Sequence, residues 1–459
     1  MEEEFLSMND MIPDLDSSFT SSTTSSSSFA TSATFSARSS LSISLPSFSS
    51  SSPVEPHPHS RSSAPSPWSA INTARSISPD GQLHLRHLHL LRHLGTGHLA
   101  RVFQCRLKGS ADADFALKVV DLRSQDDALA HVRAEARALA ALDHPFLPTL
   151  YARLDASHYA CFLIDYCPGG DLHALLRRRP GGRLPVAAAR FYAAEVLLAL
   201  EYLHALGFVY RDLKPENVLL RADGHVMLSD FDLAFHSPVS PSLHRRRRRK
   251  KSDRGSTCSC LGGHVGGVPE EEDDDYEEVE FVAEPEAASS KDCVGTHEYL
   301  APEVVSGNGH GNGVDWWAFG IFLYELLYGR TPFKGPSKEA TLRNVLNPDK
   351  EVRFPHLGGD GGADLAKARD LISRLLERDP RRRMGAKLGA AEIKRHPLFA
   401  GVDWALIRCV APPVVTAAGG AQEGKKQVKW GSWNNLNGRS SSKRRRGFFS
   451  KWGLRFIHN

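Results

Sequence analysis

Hydrophobic positions along the chain fall into two regimes within a patterned region that begins near Leu83 and runs to about Phe399. The first part holds short apolar stretches typical of strands, with one stretch of helical spacing among them. The candidate strands are 101–107, 115–120 and 161–167, and the candidate helix is 131–142. We therefore expect a small lobe made mainly of β-strands.

The second part of the pattern is mainly helical. Residues 189–207 carry apolar side chains at helical spacing and end at Gly207, a typical helix stop. The segment 313–329 is strongly apolar and has about the length of a core helix, and 363–380 is amphipathic and closes at a proline. A small β lobe followed by a larger α lobe predicts an α+β chain with a cleft between the lobes.

Composition separates the ends and one insertion from this pattern. Residues 1–83 are dominated by Ser, Thr and Pro, and we expect them to be disordered because they bury little apolar surface. Between about 237 and 290, a basic run, a Gly/Ser/Cys-rich stretch and an acidic run predict a long disordered insertion. The predicted lobes are then about 84–166 and 167–400, followed by a basic tail over 401–459.

Bulk properties add a little to this picture. A chain of 459 residues can hold one large domain or two or three ordinary ones, and a net charge of +4 says little about partners. Seven scattered cysteines and an acidic N-terminus without a signal sequence indicate reduced thiols in the cytosol or nucleus. No run of about 18 apolar residues is present, so no transmembrane helix is expected.

The segment YRDLKPEN carries three side chains suited to phosphate chemistry: Asp212, Lys214 and Asn217. A hydroxyl that attacks a γ-phosphate needs a carboxylate to orient it and accept its proton, and Asp212 suits that role. Lys214 can neutralise charge on the transferred group. Asn217, together with Asp230 of the later segment DFD, supplies the hard oxygen ligands that magnesium prefers.

Further candidates lie upstream in the small lobe. Gly95 and Gly97 of LGTGHLARV allow backbone amides to approach phosphate oxygens closely. Lys118 lies among apolar neighbours, where its charge is costly unless paired, and Glu135 is a candidate partner. Taken singly, each of these is better explained as an ordinary hairpin or surface residue. The whole ordered set, ending in APE at 301–303, is not explained by loop composition.

This ordered set resembles the signature of eukaryotic Ser/Thr protein kinases over about residues 84–400. The segments YRDLKPEN, GTHEYLAPE and VDWWAFGIFLYELLYGRTPF are similar to those of the AGC group. DFD in place of DFG, with a long insertion before APE, resembles the plant branch called group VIII, which includes the PINOID, WAG and UNICORN kinases.

The resemblance implies a fold, a reaction and a setting. The fold is the bilobal protein-kinase fold, with a disordered insertion in the activation segment. The reaction is that of a non-specific Ser/Thr protein kinase, which transfers the γ-phosphoryl group of ATP, with Mg²⁺, to protein substrates. The setting is plant growth or auxin-related signalling, with auxin-efflux carriers as one substrate class.

The resemblance also implies a role for each matching position. Asp212 is expected to be the catalytic base and Lys214 the γ-phosphate contact. Asn217 and Asp230 are expected to bind magnesium. The residues expected to contact ATP or to support that contact are Leu94, Gly95, Gly97, Val102, Lys118, Glu135, Asp165 and Cys167.

Three further implications concern shape and specificity. Ile164 corresponds to the gatekeeper beside the adenine hinge, and Glu303 and Arg383 correspond to a buried ion pair of the large lobe. Asp171 and Glu216 match acidic positions that face substrate arginines in basophilic relatives. A ribose contact and a solvated face are equally good explanations of these two acids.

Departures from the family predict regulatory differences. Asp232 stands where glycine is expected, which predicts a stiffer conformational switch, while activity survives because Asp230 is intact. Asp292 occupies the position of the usual phosphorylated Ser or Thr, so it either imitates a phosphate or marks a degenerate site. Ser289 and Ser290 are alternative acceptors for an upstream activating kinase.

The basic runs Arg245–Lys251 and Lys443–Arg446 leave three interpretations open. They are solvated, they bind an anionic lipid surface, or they direct nuclear import. The expected location is therefore the cytoplasm, with the periphery of the plasma membrane and the nucleus as further sites. No specific nucleic acid is expected, because no nucleic-acid-binding fold accompanies the arginines. The alternative to an enzyme is a pseudokinase-like scaffold or a membrane-recruited binding module.

Overall fold

The first lobe is an antiparallel sheet of five strands in the order β1-β2-β3-β5-β4. The strands are β1 (Leu88–Thr96), β2 (Ala100–Leu107), β3 (Asp114–Asp121), β4 (Leu150–Ala156) and β5 (Tyr159–Asp165). The computed structural model describes residues 67–97, 99–109, 113–123, 128–156, 158–248, 276–356 and 362–413.

Alternation along β3 divides the side chains of this sheet between two faces. On one face, Phe115 and its alternate neighbours pack with Trp68 and Ile71 of helix α1 (Pro67–Ile77). On the other face, Ala116, Lys118 and Val120 line a cavity, beside helix α2 (Ala128–Ala141). The sheet therefore has one structural face and one face available for chemistry.

Helix α1 corrects the prediction that residues 1–83 are disordered. Most of its side chains are small or polar, yet Trp68 and Ile71 are both buried against the sheet. Burying two large apolar side chains offsets the loss of chain entropy that the Ser-rich composition otherwise leaves unopposed. The rest of the predicted N-terminal segment, residues 1–66, lies outside the described residues.

The second lobe is mainly helical. Its helices are α3 (Leu172–Arg177), α4 (Val186–Ala205), α5 (Pro302–Val305), α6 (Gly313–Tyr328), α7 (Lys338–Leu346), α8 (Gly362–Leu375) and α9 (Gly389–Lys394). Short 3₁₀ turns lie at Leu85–His87, Pro180–Gly182, Pro215–Asn217, Pro397–Phe399 and Ile407–Cys409. Short strand pairs join β6 (Phe208–Val209) to β9 (Phe235–His236) and β7 (Val218–Leu220) to β8 (Val226–Leu228).

Helices α4 and α6 form the centre of this lobe. Nearly all residues of α6 are buried, and Gly320 lets α8 approach so closely that a Cβ there would lie 2.9 Å from Leu375 Cβ. Helix α4 ends just before Gly207, whose φ of +85° and contact with the Ser237 carbonyl leave no room for a side chain. The predicted two-lobed α+β fold, and the three long helices predicted in the larger lobe, are confirmed.

The predicted disorder of the insertion between 237 and 290 is wrong for part of its length. Strands β10 (Ser242–Arg248) and β11 (Tyr276–Val282) pair antiparallel, with Leu243 opposite Phe281 and Arg245 opposite Val279. Residues 249–275 lie outside the described residues, as do residues 414–459 of the predicted basic tail. Among the helices that the structure describes, none has the length and apolar character needed to cross a membrane.

Candidate active site

A cavity of about 650 Å³ lies between the sheet and the helical lobe. It is lined by all eight positions predicted to contact or support ATP: Leu94, Gly95, Gly97, Val102, Lys118, Glu135, Asp165 and Cys167. Ile164, the predicted gatekeeper, and the predicted metal ligands Asn217 and Asp230 line the same cavity. A volume of this size suits a nucleotide-sized ligand.

Lys118 forms the charge centre of the cavity. Its ammonium Nζ lies 2.5 Å from Glu135 Oε1 on α2 and 2.6 Å from Asp230 Oδ1 of the other lobe. Burial opposes the charge on Lys118, but Glu135, Asp230 and Asp232 outweigh burial and raise the pKa of the ammonium. Burial also works against ionisation of Asp230, yet Lys118 lowers the pKa of that carboxyl. Both groups are therefore charged at neutral pH.

The carboxylate of Asp212 is held by three neighbours. Lys214 Nζ lies 2.6 Å from Asp212 Oδ2, and Asn217 Nδ2 donates to the same oxygen at 2.9 Å. Thr296 Oγ1 donates to Asp212 Oδ1 at 2.9 Å and accepts from Lys214 at 3.0 Å. Asp212 is buried, so these contacts fix one orientation of the carboxylate in a site of low dielectric.

The backbone just before Asp212 is anchored from α6. Asp315, which is completely buried, accepts hydrogen bonds from the amides of Tyr210 and Arg211, both at 2.8 Å. Arg211 has a φ of +68°, a costly conformation for a residue with a side chain. The two hydrogen bonds to Asp315 stabilise that turn, which sets the direction in which Asp212 leaves the backbone.

The DFD segment shows why aspartate is accepted where glycine is expected. The residue with positive φ, at +63°, is Asp230 and not Asp232, so this conformation does not require glycine at the third position. Phe231 is fully buried and packs edge-on against Tyr210. His131 of α2 donates its Nδ1–H to the Asp232 carbonyl at 3.0 Å, and burial and Asp230 raise the pKa of the Asp232 carboxyl.

The hinge between the lobes is positioned by the side chain of Asp165. Its carboxylate accepts from Tyr151 Oη at 2.7 Å and from the Thr149 amide at 2.9 Å. Tyr151 in turn packs edge-on against Trp68 of α1, with ring centroids 5.2 Å apart. The Asp165 carboxylate thus has a structural role, and contact of this segment with adenine stays a prediction.

The two predicted substrate-facing acids lie at the rim of the cavity. Asp171 caps α3, where its Oδ1 accepts from the Ala174 amide at 2.6 Å. Glu216 is half exposed and pairs with Nδ1 of His173. A cap and an ion pair are structural roles as well, so the interaction of these acids with substrate arginines stays a prediction.

The activation segment brings the predicted regulatory residues to Arg211. The Arg211 guanidinium donates to Ser290 Oγ at 3.1 Å and to Asp292 Oδ2 at 3.2 Å, and Ser290 Oγ donates to the same Asp292 oxygen at 2.9 Å. Asp292 is 64% exposed, and its pKa is lowered by the hydrogen bonds from Ser290 and Arg211. Ser289 is exposed. Asp292 therefore faces a cation, and its role as a phosphate mimic stays a prediction.

The predicted structural ion pair is also present. Arg383 Nη1 and Nη2 reach Glu303 Oε1 and Oε2 at 2.6 and 2.9 Å, a two-point contact. Both residues are buried in the larger lobe.

Four residues of the site were missed at the sequence level, among them Asp315, which lies in the apolar helical segment 313–329. Thr296 lies in the quoted segment GTHEYLAPE and Arg211 in YRDLKPEN, so both were visible as motif members without an assigned role. A hydroxyl next to glycine and an arginine next to Asp212, the predicted catalytic base, were the available signals. His131, which holds the DFD backbone, has no signal of its own in the helix pattern.

Comparison with known proteins adds an independent result. Residues 88–248 and 275–399 match the protein kinase domain. The chain is 58% identical to the serine/threonine-protein kinase WAG2 of Arabidopsis thaliana, with 87% of this chain and 83% of WAG2 covered. It is 54% identical to WAG1 of the same plant, over 88% and 85%, and 49% identical to the protein kinase PINOID of Oryza sativa subsp. japonica, over 77% and 74%.

Proposed function

The chain belongs to the protein kinase family, within the plant AGC group VIII branch of Ser/Thr kinases, and from this premise we propose how its site acts. The protein transfers the γ-phosphoryl group of ATP, with Mg²⁺, to Ser or Thr hydroxyls of protein substrates. The observation that carries this proposal is that Asn217 and Asp230 line one nucleotide-sized cavity and that Asn217 donates to the Asp212 carboxylate at 2.9 Å.

Asp212 is the proposed proton acceptor. Its Oδ2 receives hydrogen bonds from Lys214 and Asn217, whereas Oδ1 receives one from Thr296. An ionised carboxylate oxygen accepts more than one hydrogen bond, so Oδ1 can also bind a substrate hydroxyl. As the hydroxyl oxygen bonds to the γ-phosphorus, its proton passes to Asp212 and the bond to the β-phosphate oxygen breaks, which leaves ADP.

Two lysines balance the negative charge in this scheme. Lys214 Nζ, beside Asp212, is placed to contact the oxygens of the group in transit. Lys118 Nζ lies 2.5 Å from Glu135 Oε1, and this contact fixes the ammonium in the cavity. The ammonium can then hold the α- and β-phosphates. Fixed charges in a site of low dielectric stabilise a transition state without further reorganisation.

Asn217 and Asp230 fit a magnesium site. Lys118 lowers the pKa of Asp230, so that residue offers an ionised oxygen at neutral pH. Asn217 donates a hydrogen bond from Nδ2 to Asp212, and its side-chain oxygen Oδ1 is the atom that can ligate a metal. These two oxygens would hold magnesium, which would neutralise charge on the phosphates.

Phosphorylation by the purified full-length protein tests the proposal. With labelled ATP and magnesium, the wild type should label itself and an added protein substrate on Ser or Thr. Asp212→Asn should lower the rate by about 10²- to 10⁴-fold, because the amide keeps the shape but cannot take the proton. Equal labelling by both proteins would contradict the role of Asp212, and ATP binding without turnover by the wild type would favour the scaffold alternative.

Regulation and location follow as proposals of the same kind. We propose that an upstream kinase phosphorylates Ser290, whose Oγ lies 3.1 Å from Arg211. We also propose that the basic run Arg245–Lys251 contacts an anionic lipid surface. Signalling in plant growth, including auxin responses, is the proposed setting. Sedimentation of the full chain with anionic and with neutral vesicles separates lipid binding from the solvated and nuclear-import alternatives.

A further inference from the structure

The chain returns from the insertion to the active site along a segment that is packed onto the helical lobe. This return arm, Val282–Ser290, begins at the last residue of β11 and buries Val282, Glu284 and Ala288. Its end is bridged to the α5–α6 loop, where Ser290 and His310 exchange two backbone hydrogen bonds. Composition predicted this arm as part of a disordered acidic insertion, so its docking is a finding of the structure.

The pocket for the Glu284 carboxylate is built from three elements. Oε2 accepts from Asn312 Nδ2 at 2.7 Å and lies 2.7 Å from His204 Nδ1, while the Ala390 amide at the start of α9 approaches Oε1 at 3.4 Å. Gly389 has a φ of +54°, and a Cβ there would overlap the carboxylate. A side chain at Gly389 is therefore excluded by the seated Glu284.

His204 connects this pocket to the catalytic loop. On its other edge, Nε2 lies 2.8 Å from Asp315 Oδ2. Asp315 is the residue that accepts the amides of Tyr210 and Arg211 and so stabilises the positive φ of Arg211. An unbroken run of contacts thus leads from Glu284, through one imidazole and one carboxylate, to the turn that presents the catalytic base.

The imidazole can serve both carboxylates only as a cation, because only imidazolium donates from both ring nitrogens. Burial opposes this charge, but Glu284 and Asp315 overcome it and raise the pKa of His204 to about 10. The His204 ring also packs against the uncharged ring of Trp316, with the centroids 4.7 Å apart. The charge on His204 therefore depends on those two acids.

We infer that Glu284 is a positioning residue, which docks the return arm and, through His204 and Asp315, holds the catalytic loop in its active geometry. The inference rests on the proposed function of Asp212. It gives the activation-segment insertion a mechanical connection to the catalytic base that bypasses the Arg211–Asp292 contact. Any event that withdraws the return arm removes one of the two anions that keep His204 charged.

Steady-state kinetics of Glu284→Gln tests this connection, with Glu286→Gln as the matched control, because Glu286 lies on the same arm and is exposed. Glutamine keeps the size of the side chain and removes its charge. We expect kcat to fall by about 10-fold, less than the roughly 10²-fold loss that a 1 Å misplacement can cause, with KM for ATP changed less than about twofold. The control should match the wild type.

The pH profile separates positioning from simple loss of packing. With one anion gone, the pKa of His204 should move down from about 10 toward its ordinary value of 6.5. The variant should then lose activity as the pH rises through that interval, whereas the wild type keeps His204 charged. Glu284→Asp, which retains the charge, should recover part of the rate.

Thermal unfolding supplies a measurement that does not need turnover. A raised native pKa stabilises the fold below the unfolded-state pKa, and the contribution is lost as the pH rises through the native value. The Tm advantage of the wild type over Glu284→Gln should therefore shrink between about pH 6.5 and about pH 10. A Tm difference that stays constant with pH overturns the inference. So does a Glu284→Gln variant with the kcat and pH profile of the wild type. An inactive wild type contradicts the proposed function instead.

Discussion

Two buried ion pairs use the same chemistry in different surroundings. Arg383 gives two donors to Glu303 and further donors to the Gly313 and Glu377 carbonyls. One cation and one anion are thus matched inside a single lobe. Lys118 instead serves two carboxylates, Glu135 and Asp230, that come from different lobes and face a cavity.

The difference in partners decides whether a buried charge stabilises the fold or serves the active site. A pair that is bound to itself and to carbonyls of its own lobe has little left to offer a ligand, and breaking it leaves an uncompensated charge. A cation shared between two anions across a cleft carries an excess of negative charge beside it. Bound metal and phosphates can redistribute that charge, which is what a phosphoryl-transfer site requires.

Breaking the matched pair should give the largest effect, and the effect should be on stability. Glu303→Ala leaves Arg383 charged and buried, so the free energy of unfolding should fall by about 3–5 kcal/mol. Denaturant unfolding followed by tryptophan fluorescence measures this. The control is Asp364→Ala at the exposed pair with Lys367, whose unfolding midpoint should not change. A midpoint that stays at the wild-type value for Glu303→Ala would contradict the structural role.

Breaking the shared pair should change activity more than stability. Lys118→Met removes a positioned charge, and kcat/KM should fall by about 10²- to 10³-fold. The fold should tolerate the change better than Glu303→Ala, because burial already raises the pKa of Glu135, which can take up a proton. Kinetics and unfolding are measured on the same preparation, with the exposed Lys108→Met as control. If Lys118→Met lost more stability than activity, the Lys118 contacts would be structural, as those of Arg383 are.

The exposed pair between Arg211 and Asp292 should give the smallest effect. Asp292 is 64% exposed, so solvent screens its attraction to the guanidinium. Asp292→Ala should lower kcat by about two- to fivefold, and the loss should diminish at high salt. Asp292→Glu, which keeps the charge, should lie between the alanine variant and the wild type. Undiminished turnover of the alanine variant would remove the phosphate-mimic interpretation.

Sequence reasoning succeeded where a function fixes residue types at set positions. Asp212, Lys214 and Asn217 are close in the chain, so their spacing places them in one loop, and the family resemblance supplied Lys118 and Asp230 from afar. The long helices were also predictable, because their apolar pattern is decided by burial alone. The structure brings these side chains together at distances that the pattern could not give.

Sequence reasoning failed where tertiary partners override composition. Glu284 belongs to an acidic stretch whose composition is typical of a solvated segment, yet His204, some 80 residues earlier, provides the charge that lets it be buried. Thr296 was overlooked because a hydroxyl gains a role only from the neighbours that it meets in space. Helix α1 was overlooked because its two buried anchors stand in a polar segment.

Helix α1 shows that the small lobe and the match to the protein kinase domain begin at different residues. The match to the protein kinase domain begins at residue 88, but Trp68 covers the ring of Tyr151, and Tyr151 holds the hinge aspartate Asp165. A polypeptide starting at the edge of the match would expose Phe115 and Tyr151 to water and remove the packing behind Asp165. The packed core of the small lobe therefore starts about twenty residues ahead of the match to the protein kinase domain.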